Sequence, residues 1–259
     1  MAQLDHRYAQ TGPAARTGVA VDEGLRSYML GVYNYMAGAL AVTGIAALAL
    51  IALVTTNDPS LAVAKLRNGL MLTELGTTIY ASPLRWVLML APLAFVFFLS
   101  FRVQRMSVAG AQTAFWLFAA VMGLSLSTIF LVFTGQSIVR VFFVTAASFA
   151  GLSLYGYTTK KDLSGWGSFL IMGVIGIIIA ALVNIFLQSS ALQFAISVIG
   201  VLVFAGLTAY DTQQIKDGYL QMRGNAEALA KGAIMGALSL YLDFINMFVS
   251  LLQLFGSRE

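Results

Sequence analysis

The chain has no cysteine and a single histidine, His6, so the side chains that usually bind transition metals are almost missing. A chain without cysteine excludes disulfide frameworks, thiolate metal sites, iron–sulfur clusters and cysteine nucleophiles. One histidine in a polar segment is typical of a solvated side chain rather than of a zinc or haem ligand. We therefore expect a protein without a resident metal or other cofactor.

Charged residues are also scarce, at 10% of the 259 residues, whereas apolar residues make up 59%. Soluble domains contain roughly 25% charged and 45–50% apolar residues, because most of their surface contacts water. The mean hydropathy of +0.84 is therefore that of an integral membrane protein. At about 20 apolar residues for each crossing, the chain has room for about six to eight spanning helices.

Seven apolar runs are long enough to cross a membrane, and they lack the alternation of outer-membrane β-strands. The runs are residues 33–54, 84–101, 108–133, 138–157, 166–187, 192–215 and 237–256. We predict an all-α integral membrane protein with two parts. Residues 1–30 are a mostly unstructured or interfacial tail, and residues 31–259 are one seven-helix membrane domain. The interruption at 55–83 is expected to be a loop with a short surface helix, and 216–236 is expected to be the other long loop.

The positions of the basic residues predict the orientation of these helices. With a cytoplasmic N-terminus, ten of the fifteen Lys and Arg residues lie in cytoplasmic segments. By the positive-inside rule, the tail is cytoplasmic, and seven crossings then place the C-terminus on the opposite side. The excess of basic residues is explained by this orientation, so we expect a lipid bilayer and no nucleic acid as the environment of the chain.

Two acidic residues, Asp211 and Asp243, lie inside the apolar runs, where a charge costs several kcal/mol. If the two helices meet the inner surface near Lys216 and Ala237, both carboxylates lie about six residues, or roughly 9 Å, deep. Equal depths on adjacent antiparallel helices predict that the two carboxyl groups meet. Such a pair shares a proton over part of the pH range and releases it in a separate step, which makes it a switch. The alternative is that each aspartate is an isolated, protonated hydrogen-bonding group.

Polar residues in the last run fall on one face of a helix around Asp243. They follow one another at intervals of four, three, four and three residues: Ser239, Asp243, Asn246, Ser250 and Gln253. This stripe predicts a polar pathway through the bundle. The alternative is hydrogen bonding between helices, which is a common role of Ser, Asn and Gln in membranes.

Enzyme signatures are missing from the sequence, including HExxH, the Walker A loop and GxSxG. The aspartate pair is the feature that an intramembrane aspartyl protease would share. Such proteases carry Gly-x-Gly-Asp at the second acid, whereas Leu240, Tyr241 and Leu242 precede Asp243 here. We therefore expect no enzymatic activity.

Three segments resemble the Bax inhibitor-1 family, in particular its bacterial branch. They are AYDTQQIK at 209–216, SLYLDFIN at 239–246 and GLSLYGYTTKKDLS at 151–164. The resemblance extends from about residue 26 to the C-terminus. It implies a seven-helix bundle with the last helix surrounded by the other six, in the bacterial inner membrane.

The resemblance also implies a function, a pH-sensitive calcium leak linked to stress and cell-death regulation. Asp211 and Asp243 would be the proton sensor and gate, and calcium would be the transported ion rather than a bound cofactor. An arginine at the end of the second spanning helix would latch onto one aspartate, with Arg105 preferred over Arg102. The alternative for both arginines is a role as positive-inside anchors. One departure is that residues 84–101 lack the carboxylate that some members carry.

The resemblance implies a second, different function as well. Bacterial relatives bind and restrain a membrane-anchored quality-control protease, and this role requires no ion conduction. The alternative hypothesis is therefore a non-conducting membrane regulator with a protease as its partner.

Overall fold

The computed structural model describes residues 13–66 and 69–258, which form a bundle of long helices. Within this part of the chain, seven helices are long and apolar enough to cross a membrane. The helices are α1 (Pro13–Val54), the short α2 (Glu74–Tyr80), α3 (Leu84–Arg102), α4 (Val108–Leu126), α5 (Gly135–Thr158), α6 (Ser164–Leu187), α7 (Ser190–Met222) and α8 (Ala226–Phe255). The predicted all-α membrane architecture is confirmed.

The first helix is longer than its apolar run. It begins at Pro13, where the missing N–H of proline costs no helical hydrogen bond. The part of α1 that could span a membrane is Glu23–Val54, which starts ten residues before the predicted run. Of the two expectations for the tail, the mostly unstructured one is wrong for residues 13–30, which are helical, and the interfacial one stays a prediction. His6 lies outside the described residues.

The connection between α1 and α3 contains the predicted surface helix, α2, together with a small sheet. The side chain of Thr73 caps α2 by accepting the Gly76 N–H at 3.2 Å. Three two-residue strands, β1 (Thr55–Thr56), β2 (Ala64–Lys65) and β3 (Met71–Leu72), pair antiparallel in the order β1-β3-β2. Two residues are too few to produce an alternating pattern, so the sequence gives no strand signal here.

The Tyr80 hydroxyl attaches α2 to the bundle through a 2.7 Å hydrogen bond with the hydroxyl of Ser127, which follows α4. Burial raises the pKa of Tyr80 above its usual value. The phenol therefore remains a neutral hydrogen-bonding group at physiological pH.

The predicted long loop at 216–236 is wrong, because α7 continues to Met222 and α8 starts at Ala226. The turn is made by Gly224, with φ of +97°, and by Asn225, whose side chain accepts the Ala228 N–H at 3.0 Å. A glycine in the left-handed region and an asparagine cap are the normal signals for a helix end and a helix start. The loss of hydropathy after residue 215 marks the end of the apolar run and not of the helix, since Lys, Gln and Glu are good helix formers.

α8 is the central helix of the bundle. Of its most apolar window, 67% is buried, compared with 6–33% for the other six spans. α1, α4, α5 and α7 pack directly against α8, whereas α3 packs mainly on α4 and α6 mainly on α7. The central position of the last helix is confirmed, with four helices in close contact and two helices outside them.

Candidate functional site

The carboxyl groups of Asp211 on α7 and Asp243 on α8 lie close enough to interact through a side-chain hydrogen bond. A hydrogen bond between two carboxyl groups requires a proton on one of them, because an ionised carboxylate can only accept. Asp243 is 4% exposed, and its Oδ2 has no hydrogen-bond partner among the described residues. The predicted meeting of the two aspartates is present in the structure.

The expected depth of about six residues was counted from the inner surface near Lys216 and Ala237, and both helices continue past these residues. Asp211 lies eleven residues before Met222, roughly 16 Å along α7, and Asp243 lies seventeen residues after Ala226, roughly 25 Å along α8. The two helices therefore extend unequally beyond the pair.

Close approach of α7 and α8 sets their register on both sides of the pair. A Cβ on Gly236 of α8 would lie 3.0 Å from Ile215 Cγ1 of α7, and a Cβ on Gly200 of α7 would lie 2.6 Å from Ser250 Oγ of α8. Each glycine thus accommodates a side chain of the facing helix, which allows the backbones to approach. With contacts above and below, a sliding movement of either helix would separate Asp211 from Asp243.

The polar stripe on α8 is partly exposed, although most of this helix is buried. Asn246, Ser250 and Gln253 line a cavity of about 490 Å³ between α8 and residues of α3, α4, α6 and α7. Ser239 does not line this cavity and lies nearer the start of α8. The Asn246 amide donates to the Leu242 carbonyl at 2.8 Å, so the amide is held along its own helix.

A second, more polar cavity of about 410 Å³ lies at the end of the bundle where α6 turns into α7 and α8 ends. It shares three lining residues with the first cavity: Gln193, Ser197 and Gln253. Gln193 and Ser197 were missed in the sequence analysis. They are polar residues within the apolar run 192–215, and this is the signal that could have identified them.

Neither arginine that was predicted as a latch contacts the aspartate pair in this structure. Arg102 is the last residue of α3, Arg105 ends the short 3-10 turn that follows, and both are exposed. Within residues 13–66 and 69–258, the ion pair that forms is Lys231 with Glu227, at 2.8 Å. The latch is therefore not engaged in this conformation, and its role stays a prediction.

The segments 151–164 and 209–216, which carry part of the family resemblance, are joined by hydrogen bonds at one end of the bundle. Gln213 of α7 donates to the Lys161 carbonyl and accepts the Leu163 N–H, both at 2.8 Å. Lys216 donates to the Tyr157 carbonyl at 3.1 Å. Since Gln213 is 4% exposed, these hydrogen bonds tie the α5–α6 connection firmly to α7, two residues after Asp211.

A chain of hydroxyl groups passes beside the aspartate pair and joins three helices. The Tyr33 hydroxyl of α1 is 2.6 Å from the Ser153 hydroxyl of α5, which is 2.9 Å from the hydroxyl of Thr212 on α7. Thr212 also donates to the Thr208 carbonyl at 2.7 Å. The residue next to Asp211 is therefore fixed to α1 and α5.

The acidic residues do not form a larger metal-binding cluster in the part of the chain that the structure describes. No group of three or more His, Cys, Asp and Glu side chains occurs there. Tight calcium sites usually provide six to eight oxygen ligands, several of them from carboxylates. Within the described residues, Asp211 and Asp243 therefore stand as a pair without a third acidic or histidine side chain beside them.

Sequence comparisons extend over nearly the whole chain. Residues 25–259 match the model of a protein family described as inhibitor of apoptosis-promoting Bax1. The chain is 43% identical to the inner membrane protein YbhL of Escherichia coli K12, over 91% of this chain and 94% of YbhL. It is 44% identical to an uncharacterised protein of Caulobacter vibrioides over the full length of both chains. A protein of Rickettsia prowazekii is 45% identical over 97% of this chain and 98% of its own length. The matched region includes both aspartates, both arginines and the polar stripe.

Proposed function

The chain belongs to the Bax inhibitor-1 family of membrane proteins, and from its aspartate pair we propose that it is a pH-sensitive calcium leak channel of the bacterial inner membrane. The observation that carries the proposal is the contact between Asp211 and Asp243 inside a membrane bundle. The calcium ion is the transported species, and the chain needs no cofactor for this activity.

The protonation state of the pair controls whether α7 and α8 can remain in their close register. With one shared proton, the carboxyl groups attract each other through a hydrogen bond. Without it, two negative charges would lie in contact in a medium of low dielectric constant, which is strongly unfavourable. A change of pH therefore changes the free energy of the α7–α8 contact, and the bundle has a gate at this point.

Two adjoining cavities along α8 supply part of a route for an ion. The 490 Å³ cavity is lined on α8 by Asn246, Ser250 and Gln253, whose oxygen atoms are the kind of ligand that calcium prefers. The 410 Å³ cavity continues this space to one end of the bundle. Leu242 and Asn246 line the 490 Å³ cavity, whereas neither aspartate does. On this proposal, opening connects the pair with this cavity and with the other end of the bundle.

Asparagine substitutions test the gate, because an amide has nearly the shape of a carboxyl group but does not titrate. We expect calcium flux into liposomes with reconstituted wild-type protein to depend on pH. Asp211→Asn and Asp243→Asn should each flatten that dependence. Asp217→Asn is the matched control, since Asp217 is exposed on the same helix and lies outside the pair. Wild-type pH profiles in both pair variants would place the proton sensor elsewhere.

A second candidate function is a non-conducting regulator that restrains a membrane-anchored protease. The observation that favours it is the exposure of α6, which packs mainly on α7 and has 6% of its apolar window buried. Such a helix presents most of its surface to lipid or to a partner helix. Protein that is folded but carries no calcium flux at any pH, and that co-purifies with a membrane protease through α6, would establish this function instead.

A further inference from the structure

The residues after α8 do not leave the bundle but fold back against the α4–α5 connection. Ser257 donates its N–H to the Ser137 hydroxyl at 2.9 Å, and its carbonyl accepts the Thr134 N–H at 3.0 Å. Phe133 and Arg258 form an antiparallel bridge. A Cβ on Gly256 would lie 2.6 Å from the Phe133 ring, so the chain can pass here only because this residue is glycine.

This path places the side chain of Arg258 at the polar cavity of about 410 Å³. The guanidinium donates through Nη2 to Gln253 Oε1 at 3.0 Å. Its Cζ lies 5.6 Å from the centre of the Phe133 ring, within the range of a cation–π contact. Two independent contacts therefore hold the positive charge beside the last residue of the polar stripe.

Among the described residues that line this cavity, Arg258 is the one with a charged side chain. The others are Asn184, Gln188, Ser189, Ser190, Gln193, Phe194, Ser197 and Gln253. An arginine does not lose its proton in a protein, so the charge is permanent. The neutral amides and hydroxyls leave it uncompensated within the cavity lining.

We propose that Arg258 is the residue that sets the charge preference of this cavity, so that the cavity repels cations and attracts small anions. The cavity shares Gln193, Ser197 and Gln253 with the 490 Å³ cavity, so a cation that enters through it passes the guanidinium before it reaches that second cavity. The second part of the proposal rests on the proposed channel function. In that channel, Arg258 limits the leak of cations through the 410 Å³ cavity, independently of the protonation of Asp211 and Asp243.

The absence of cysteine allows a test of the charge preference that requires no conduction. A cysteine placed at Ser190, an exposed residue of the cavity lining, can be labelled with a cationic and with an anionic methanethiosulfonate reagent. We expect Arg258→Gln to increase the ratio of cationic to anionic labelling rates by about three-fold or more, since one unit charge within the cavity is removed. Arg258→Lys should keep the original ratio, because it keeps the charge.

Arg140→Gln is the matched control, since it removes an exposed positive charge from α5 at the same end of the bundle but outside the cavity lining. It should leave the ratio unchanged. An unchanged ratio in Arg258→Gln, or an equal change in Arg140→Gln, would overturn the proposal. The first result would mean that the guanidinium does not set the charge preference of the cavity.

Calcium flux in liposomes then tests the second part. We expect Arg258→Gln to increase the flux at every pH without moving the pH at which it changes, whereas Arg258→Lys retains the wild-type flux. A changed labelling ratio with unchanged flux would show that cations do not pass this cavity, and would overturn the leak-limiting role. If wild-type protein carries no flux, the channel function fails, and the labelling ratio still decides the charge preference.

Discussion

At Gly156, α5 packs closely against the backbone of α7. Replacement of this glycine by alanine should loosen the bundle next to the aspartate pair. An added Cβ would lie 2.2 Å from the Ala209 carbonyl oxygen and 2.9 Å from its carbon. Since a normal contact is about 3.4 Å or more, α5 and α7 must separate by about 1 Å. Ala209 lies two residues before Asp211 on α7, so a displacement of α7 at Ala209 also moves Asp211.

The expected cost of this overpacking is about 1–3 kcal/mol. Alanine also gains up to about 1 kcal/mol of helix propensity over glycine, which partly hides the strain. Gly151→Ala removes this ambiguity, because Gly151 is on the same helix and nothing lies within 4 Å of its added Cβ. Both variants receive the same propensity gain, so the difference between them isolates the packing strain.

The assay is thermal unfolding of the two purified variants in the same detergent, together with calcium flux in liposomes. Gly156→Ala should unfold at a lower temperature than Gly151→Ala and should show a disturbed pH dependence of flux. If Gly156→Ala is as stable as Gly151→Ala, then α5 and α7 do not pack as closely as the structure shows, and the argument fails.

Three further predictions concern the ends, the centre and the inner face of the bundle. Reporter fusions should place the N-terminus in the cytoplasm and the C-terminus outside, and both termini on one side would contradict seven crossings. Tyr241→Phe should cost about 1–2 kcal/mol in thermal unfolding, because the buried Tyr241 hydroxyl is 2.7 Å from the Thr43 hydroxyl, which donates onward to a carbonyl of α4; an unchanged melting temperature would show that this hydrogen bond contributes nothing. Replacing Arg105, or secondly Arg102, by glutamine should raise calcium leak at the pH where the wild type is tightest. Combination with Asp211→Asn should add little if both changes break one interaction, whereas fully additive effects would return the arginines to the role of anchors.

The membrane class, the number of spans and the short helix α2 could be predicted from the sequence. The length of each apolar run must match the thickness of the bilayer, so each span can be recognised from its own sequence. The same signal failed at residues 13–30 and 216–236, where helices continue into polar sequence. Gly224 and Asn225 form the turn itself. The polar residues around them are also helical, but their low hydropathy by itself predicts a loop.

The two aspartates illustrate the boundary between sequence and tertiary structure. Their cost in hydrocarbon identified them as functional candidates, since this property belongs to each residue by itself. That their carboxyl groups touch depends on the register of α7 and α8, which Gly200 and Gly236 set through packing. The contact is a property of two helices together and depends on how they pack.

Other parts of the site were decided by tertiary structure alone. Gln213 is polar and close to the membrane end of its run, but its partners are backbone groups about fifty residues earlier in the chain. In the sequence, nothing distinguishes Arg258 from the other basic residues outside the apolar runs. In the structure, the chain folds back at Gly256 and places Arg258 beside Gln253. The type of a residue determines the free energy of placing it in lipid or in water. Its contact partners depend on how helices from distant segments pack together, and no periodicity in the sequence encodes that packing.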